Sequence, residues 1–201
     1  TNDPADLVVT DVAIDETAFS GEQITVTWTV TNQGADVWEG TGRWDDLIYI
    51  GPDQTFIRDR VTFAKRVTHV NGPTTLGAGE SYTATTTINL EPGAQGRRYV
   101  HVLTDTNARF NANSPGSYPD WPDQFRGTVW EGGDKSNNVG TSNAVQVTYR
   151  EADLRISDIQ VVGTPMASGE VEVRFTVVNE GTRATRVDSW WSSTPSYSKA
   201  R

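Results

Sequence analysis

The sequence predicts an all-β protein built as an antiparallel β-sandwich, and three observations support this. Apolar and polar residues alternate with a period of two over several short segments. No segment carries a sustained apolar stripe with the 3.6-residue period of a helix. Gly, Pro, Asn and Asp cluster between the alternating runs, as turn residues do. These patterns together indicate short strands joined by turns.

The clearest alternating run covers residues 23–31. It places four apolar residues, among them Trp28, on one face and threonines on the other, as in a half-buried strand of an antiparallel sheet. We expect Trp28 to fill the space between two sheets, with Trp44 as its neighbour on the next strand. Similar runs predict strands at residues 7–14, 47–50, 82–90, 99–103 and 144–149.

Two stretches of the sequence each occur a second time, and the distance between the two occurrences is the same for both. Residues 5–12 recur at 152–159 and residues 28–34 recur at 175–181, in both cases 147 positions further along the chain. Such retained register indicates tandem copies of one domain.

The repeat predicts a complete domain over residues 1–150 and a truncated N-terminal part of a second copy over residues 151–201. No Gly, Ser or Pro spacer separates them, which predicts a stiff, end-to-end arrangement. A few strands cannot build a sandwich core. We therefore expect the second part to be protease-sensitive, or to assemble with another chain across its exposed sheet edges.

Composition excludes several classes of function. The 201 residues include no cysteine, which removes disulfides, thiolate zinc sites and thiol nucleophiles. The net charge of -9, without a basic face, argues against a nucleic-acid partner. No apolar run approaches the about 20 residues of a membrane helix. The N-terminus carries neither Met nor an apolar signal core, so we expect a piece of a larger protein.

The sequence also lacks recognisable catalytic equipment. His69 and His101 are the only imidazoles, and neither a HExxH motif nor a Gly-x-Ser-x-Gly elbow is present. Asp45 and Asp46 are adjacent on a predicted strand, so their side chains point to opposite faces and cannot act jointly on one bond. We therefore predict that the chain is not an enzyme.

Several motifs resemble the CARDB family, the cell adhesion related domain found in bacteria. They occupy residues 6–10, 20–22, 26–34, 44–50, 76–82 and 131–138, and the resemblance covers about residues 5–150. It implies an immunoglobulin-like sandwich that is repeated in large secreted or cell-surface proteins. The sequence departs from the family pattern at about residues 108–130, where it carries an inserted loop. Long loops in compact domains are commonly functional.

Oxygen-bearing side chains border this loop. Asp105, Asn107, Glu131 and Asp134 are hard ligands of the type that Ca2+ prefers, although the spacing is not that of an EF-hand. Asn and Asp also cap turns through side-chain to backbone hydrogen bonds. Calcium binding and turn structure both remain open interpretations.

The inserted loop is rich in aromatic residues. Tyr118, Trp121, Phe125 and the nearby Trp130 could stack on a sugar or anchor a protein interface. Alternatively, they fold back onto the sandwich as a satellite cluster.

The sequence thus predicts a non-catalytic structural or adhesive module of a secreted or cell-surface bacterial protein, whose tandem repeats form an extended rod. Its expected partners are neighbouring domains of the same polypeptide and a protein or polysaccharide on a surface. The alternative is an accessory carbohydrate- or protein-binding module of a secreted hydrolase, which would use the aromatic loop. The two hypotheses differ in whether a glycan is bound.

Overall fold

A computed structural model describes residues 3–72, 75–106, 127–133, 135–164, 167 and 169–185 of the chain. The chain divides into two compact units, one ending at Tyr149 and the other beginning at Arg150. Besides one 3-10 turn at Arg58–Arg60, the described strands are β1 (Leu7–Ile14), β2 (Thr17–Phe19), β3 (Gln23–Asn32), β4 (Arg43–Gly51), β5 (Thr62–Val70), β6 (Ser81–Asn89), β7 (Gly96–Leu103), β8 (Val139–Thr141), β9 (Val145–Thr148), β10 (Leu154–Val162) and β11 (Glu172–Asn179). Within the described ranges, no helix has the length and apolar character needed to cross a membrane.

The first unit is a sandwich of two sheets. One sheet has the strand order β1-β3-β6, and the other has the order β2-β9-β7-β4-β5, with β8 pairing with β7. The predicted all-β sandwich is therefore confirmed. β2 and β9 pair in parallel, unlike the other described pairs of this unit. This happens because the chain changes sheets directly after β1.

The core lies between the two sheets and follows the alternation of β3. Trp28 is fully buried there, and Trp44 of β4 joins the same cluster, as predicted. On the outer face of β3, Thr27 and Thr29 pair with threonines of β6 through hydroxyl contacts of 3.0 Å. The apolar residues that face Trp28 across the core include Ile48, Val100, Val102, Val145 and Val147.

A second, smaller apolar cluster covers the outer face of the β4–β7 pair. Tyr49 and Leu103 are buried in it, and Phe56 from the β4–β5 connection packs against them. His101 lies in the same region, where its ring and that of Phe56 pack in a T-shaped arrangement, and its Nδ1 is 2.9 Å from Thr141 Oγ1. Burial lowers the pKa of His101. This imidazole is a hydrogen-bonded structural side chain, as its place in an alternating strand predicts.

Asn32 closes the end of β3 with its buried side chain. Its Oδ1 accepts hydrogen bonds from the backbone N–H groups of Asp6 (3.0 Å) and Gly34 (3.1 Å). Its Nδ2 donates to the carbonyl groups of Ala35 (2.7 Å) and Leu76 (3.2 Å), among others. One amide therefore satisfies backbone groups from three chain segments that no strand partner reaches.

The described part of the second unit is a β10–β11 hairpin. Leu154 pairs with Asn179 and a β-bulge follows Ile156, just as Leu7 pairs with Asn32 and a bulge follows Val9 in β1. Both faces of the hairpin are exposed. Its register matches that of β1 and β3, while the presence of a second copy of the domain stays a prediction.

We expect Asn32→Ala to lower the free energy of unfolding of the first unit by about 3 kcal/mol, because the part-buried N–H groups of Asp6 and Gly34 and the carbonyl of Ala35 lose the amide that pairs with them. Urea unfolding monitored by tryptophan fluorescence measures this change. Asn89→Ala removes an exposed amide from the end of β6 and serves as the control. Equal unfolding midpoints for the two variants would contradict the role of Asn32.

Candidate functional site

The first cluster of polar residues lies inside the sandwich, around the carboxylate of Asp46. This side chain is fully buried on β4. It accepts hydrogen bonds from Trp28 Nε1 (2.8 Å) and from the Tyr82 hydroxyl (2.9 and 3.0 Å), both from the opposite sheet. Thr104 Oγ1, just past β7, donates at 2.7 Å. Asp46 therefore joins the two sheets through three side-chain donors.

A ring of aromatic groups surrounds the Tyr82 hydroxyl. Trp44 Nε1 donates to it at 2.9 Å, and the His69 ring stacks on the Tyr82 ring with centroids 3.8 Å apart. Burial and the negative charge of Asp46 raise the pKa of Tyr82, so it stays a neutral donor. Burial lowers the pKa of His69. The sequence placed Asp45 and Asp46 on opposite faces, but it did not indicate this network.

Burial raises the pKa of Asp46 from 3.8 to about 6. The hydrogen bonds from Thr104, Trp28 and Tyr82 act in the opposite direction, since they favour the ionised form, while the charge of Asp105 adds to the rise. Because both carboxylate oxygens accept protein donors and no solvent reaches the group, Asp46 holds the fold together and has no open side for a substrate.

The second cluster lies where β7 ends and contains two of the four predicted calcium ligands. Asp105 and Glu131 are both buried, and the Nζ of Lys135 lies between their carboxylates. Nζ is 2.5 Å from Asp105 Oδ2 and also forms an ion pair with Glu131 Oε1. We call these three residues the Lys135 site. Lys135 was not among the predicted residues.

The other two predicted ligands, Asn107 and Asp134, lie outside the described residues. Among the residues that the structure describes, no three His, Cys, Asp or Glu side chains converge as metal ligands. An ammonium group occupies the space between Asp105 and Glu131. Calcium binding by the full predicted set stays a prediction.

Backbone donors hold the carboxylate of Asp105. Its Oδ1 accepts from the N–H groups of Thr128 (2.8 Å) and Val129 (3.3 Å), and its Oδ2 accepts from Val129 N–H at 3.1 Å. Asp105 has φ 49°, the left-handed region, and among the described residues it is the one non-glycine there. The segment that begins at Gly127 packs directly against it, since a Cβ on Gly127 would lie 1.8 Å from Oδ2.

Glu131 is held just as firmly. Its Oε2 accepts from the backbone N–H of Leu7 at 3.0 Å, and its Oε1 accepts from Asn138 Nδ2 at 3.2 Å. Burial raises the pKa of Glu131, although the neighbouring ammonium of Lys135 and these hydrogen bonds lower it. The carboxyl group of Glu131 therefore accepts and releases a proton more readily near neutral pH than an exposed glutamate does.

The third feature is a pair of tryptophans on the surface. Trp130 is 42% exposed and stacks on Trp38, which is 48% exposed, with ring centroids 5.1 Å apart and an angle of 30° between the planes. The other predicted aromatic ligand-binding residues, Tyr118, Trp121 and Phe125, lie outside the described residues. Sequence reasoning missed Trp38, although a tryptophan in a polar, Gly-containing turn segment outside the alternating runs was an available signal.

Neither a family sequence profile nor a curated protein matches the chain. The chain is similar to the solved CARDB domain of the PF1109 protein from Pyrococcus furiosus, described in complex with di-metal ions. That match has 20% identity and a TM-score of 0.42, covering 72% of this chain and 90% of that one. The predicted resemblance of the chain to CARDB domains is thus confirmed.

Parts of two larger proteins are also similar. The first is β-glucosidase 3B from Thermotoga neapolitana, with 17% identity and a TM-score of 0.34, covering 49% of this chain and 14% of that one. The second is a β-glucosidase from Listeria innocua, with 15% identity and a TM-score of 0.38, covering 71% of this chain and 16% of that one. The chain therefore spans only a small part of either enzyme.

The raised pKa of Asp46 predicts a pH-dependent stability. The folded state binds a proton at pH values where the unfolded state does not, so the free energy of unfolding rises as the pH falls from about 7.5 toward 4. We expect wild type to gain about 3 kcal/mol over this range relative to Asp46→Asn, which cannot titrate there. Denaturant unfolding at several pH values measures the difference.

The matched control is Asp45→Asn on the outer face of the same strand, where the carboxylate accepts from Thr68 at 2.6 Å. This variant keeps the Asp46 titration and should follow the wild-type pH curve. Parallel curves for wild type and Asp46→Asn would contradict the assignment.

Proposed function

We propose that the chain is a non-catalytic structural and adhesive module of a larger secreted or cell-surface bacterial protein. The observation that carries this proposal is the interior of the first unit, where Asp46 joins both sheets and has no open side for a substrate. A fold that is held by buried hydrogen bonds, without cysteine, suits a part whose task is to keep its shape.

The matching register of the two hairpins supports a tandem arrangement. The β1–β3 pair and the β10–β11 pair share the same end pairing and the same bulge position. Side-chain hydrogen bonds at Asn32 and Asn179 are also alike, since Asn179 Oδ1 accepts from the N–H groups of Asp153 and Gly181, both at 3.0 Å. In this proposal the second unit continues the array, and neighbouring domains are its partners.

A second candidate function is glycan binding, which the Trp38 and Trp130 pair favours. Two large aromatic side chains that remain nearly half exposed are uncommon on a monomer surface, and exposed tryptophans are frequent anchors of binding sites. Stacking fixes both rings, so little conformational entropy is lost when a flat ligand packs on them. In this case the chain would be an accessory carbohydrate-binding module.

The structural proposal predicts the outcome of limited proteolysis of the full chain. Trypsin and chymotrypsin should each leave a resistant fragment that ends near Tyr149 or Arg150, because both faces of the β10–β11 hairpin are exposed and an isolated hairpin is marginally stable in water. Mass spectrometry of the fragments identifies the end point. Resistant fragments that retain β11 for as long as the first unit would contradict the prediction.

The glycan candidate predicts retardation in native gels that contain xylan, mannan or mixed-linkage glucan, or retention on insoluble cellulose or chitin. Trp38→Ala and Trp130→Ala should each abolish the effect, because each removes half of the stacked pair. Tyr149→Ala removes another exposed aromatic side chain and should leave binding unchanged. If none of these glycans retards the wild-type chain, the glycan candidate is wrong and the structural proposal is favoured.

A further inference from the structure

The Lys135 site combines a nucleophile, an electrophile and a proton carrier in one buried place. The side chains of Asp105 and Glu131 are 1% and 0% exposed, and that of Lys135 is 12% exposed. We propose that Lys135 Nζ and the Asp105 carboxyl group condense into an intramolecular amide bond, with Glu131 as the catalytic residue that transfers the proton. The chain would thereby carry a covalent cross-link of its own making.

The distance between the reacting groups suits this reaction. Nζ is 2.5 Å from Asp105 Oδ2, and one carbon–oxygen bond of about 1.2 Å separates Oδ2 from Cγ, so Nζ lies within about 3.7 Å of the carbon it attacks. Near-attack geometries have separations of about 3 to 3.5 Å, and such placement is equivalent to effective concentrations of about 10⁵ M or more. A condensation that is unfavourable in dilute solution is thereby strongly promoted.

The backbone around Asp105 is arranged to stabilise the tetrahedral intermediate. When the amine attacks Cγ, negative charge develops on Oδ1, which already accepts from the N–H groups of Thr128 at 2.8 Å and Val129 at 3.3 Å. The Thr128 N–H is directed at Oδ1, whereas the Val129 N–H is shared and lies nearer to Oδ2, at 3.1 Å, so Thr128 is the main donor of this oxyanion hole and Val129 assists it. Oδ2, which faces Lys135, is then the oxygen that leaves.

Two features of the backbone hold the Asp105 carboxyl group against its donors, and one of them is an unfavourable backbone angle. Asp105 adopts φ 49°, which is unfavourable for a residue with a side chain and directs its carboxyl group at the 127–129 segment. Gly127 has no Cβ, and the position of a Cβ there would be 1.8 Å from Asp105 Oδ2. The donors therefore approach the carboxyl group closely only because position 127 is glycine.

The reaction balances without an external reactant. Glu131 takes a proton from the Lys135 ammonium, and the free amine attacks Asp105 Cγ to form the new carbon–nitrogen bond. Glu131 then returns that proton to the departing oxygen, Oδ2 of Asp105. The attacking nitrogen gives up a second proton to the same oxygen. The carbon–oxygen bond breaks, and this oxygen leaves as water. One ammonium and one carboxylate thus become a neutral amide and one water molecule, with no oxidation or reduction.

Burial favours the product over the ion pair. The site places one positive and two negative groups away from water, and each buried charge carries a desolvation cost. Amide formation removes two of these charges. Exclusion of solvent then protects the amide from hydrolysis.

Mass spectrometry of the intact 201-residue chain tests the proposal. The wild-type protein should be lighter than its sequence mass by one water molecule. A tryptic digest should contain one cross-linked species that joins residues 99–109 to residues 127–150, with cleavage blocked at Lys135. An unmodified mass for the purified, folded wild-type chain would overturn the proposal.

Matched variants separate the cross-link from other losses of water. Lys135→Arg keeps the positive charge but should restore the full sequence mass, whereas Lys65→Arg at an exposed lysine should keep the deficit. A mass deficit of one water molecule that persists in Lys135→Arg would overturn the cross-link.

Glu131→Gln should reduce the cross-linked fraction to near zero, because an amide cannot carry the proton. Complete cross-linking in Glu131→Gln would overturn the role of Glu131. The wild-type mass decides the cross-link itself even if a variant fails to fold.

Discussion

The carboxylate of Asp46 is the group on which the two sheets of the first unit depend. It lies on one sheet and accepts from Trp28 and Tyr82 of the other, so it fixes the orientation of both rings in the core. Its burial costs several kcal/mol, and this cost is offset only while every donor is present. Without cysteine, no disulfide can take over this task. The Asp46 carboxylate is therefore a polar link between the two sheets of the first unit.

The Lys135 site is connected to the Asp46 network because neighbouring residues of the chain, Thr104 and Asp105, belong to one and the other. Thr104 donates to Asp46, and the next residue, Asp105, carries the charge that contributes to the raised pKa of Asp46. Amide formation at Asp105 would remove that charge and lower the pKa of Asp46. The backbone N–H of Thr104 is held by the carbonyl of Asn138 at 2.9 Å, and Asn138 also donates to Glu131. The chemistry proposed for Lys135 thus has a direct electrostatic effect on the group that joins the sheets.

The sequence predicted the strands whose residues show a local alternating pattern. It did not predict contacts between residues that are far apart in the chain. Alternation in β3 predicted the strand and the inward side of Trp28, because one face of that strand is buried and the other is not. β5, at Thr62–Val70, lies at the edge of its sheet and is only partly covered, so it carries no clean alternation and was not predicted. Lys135 and Asp105 are 30 residues apart, and no spacing rule links them.

At the repeat offset, the sequence differs at both partners of the hydrogen bond between Trp28 and Asp46. At the repeat offset, Trp28 corresponds to Phe175 and Asp46 corresponds to Ser193 in the sequence. A buried indole N–H without an acceptor costs about 1 to 3 kcal/mol, whereas a phenyl ring has no such group. Loss of the carboxylate is thus matched by loss of its donor, while Asn32 and its counterpart Asn179 are both kept. At the matching positions, the sequence therefore keeps the asparagine that closes the strand end in both hairpins, and it keeps neither Trp28 nor Asp46.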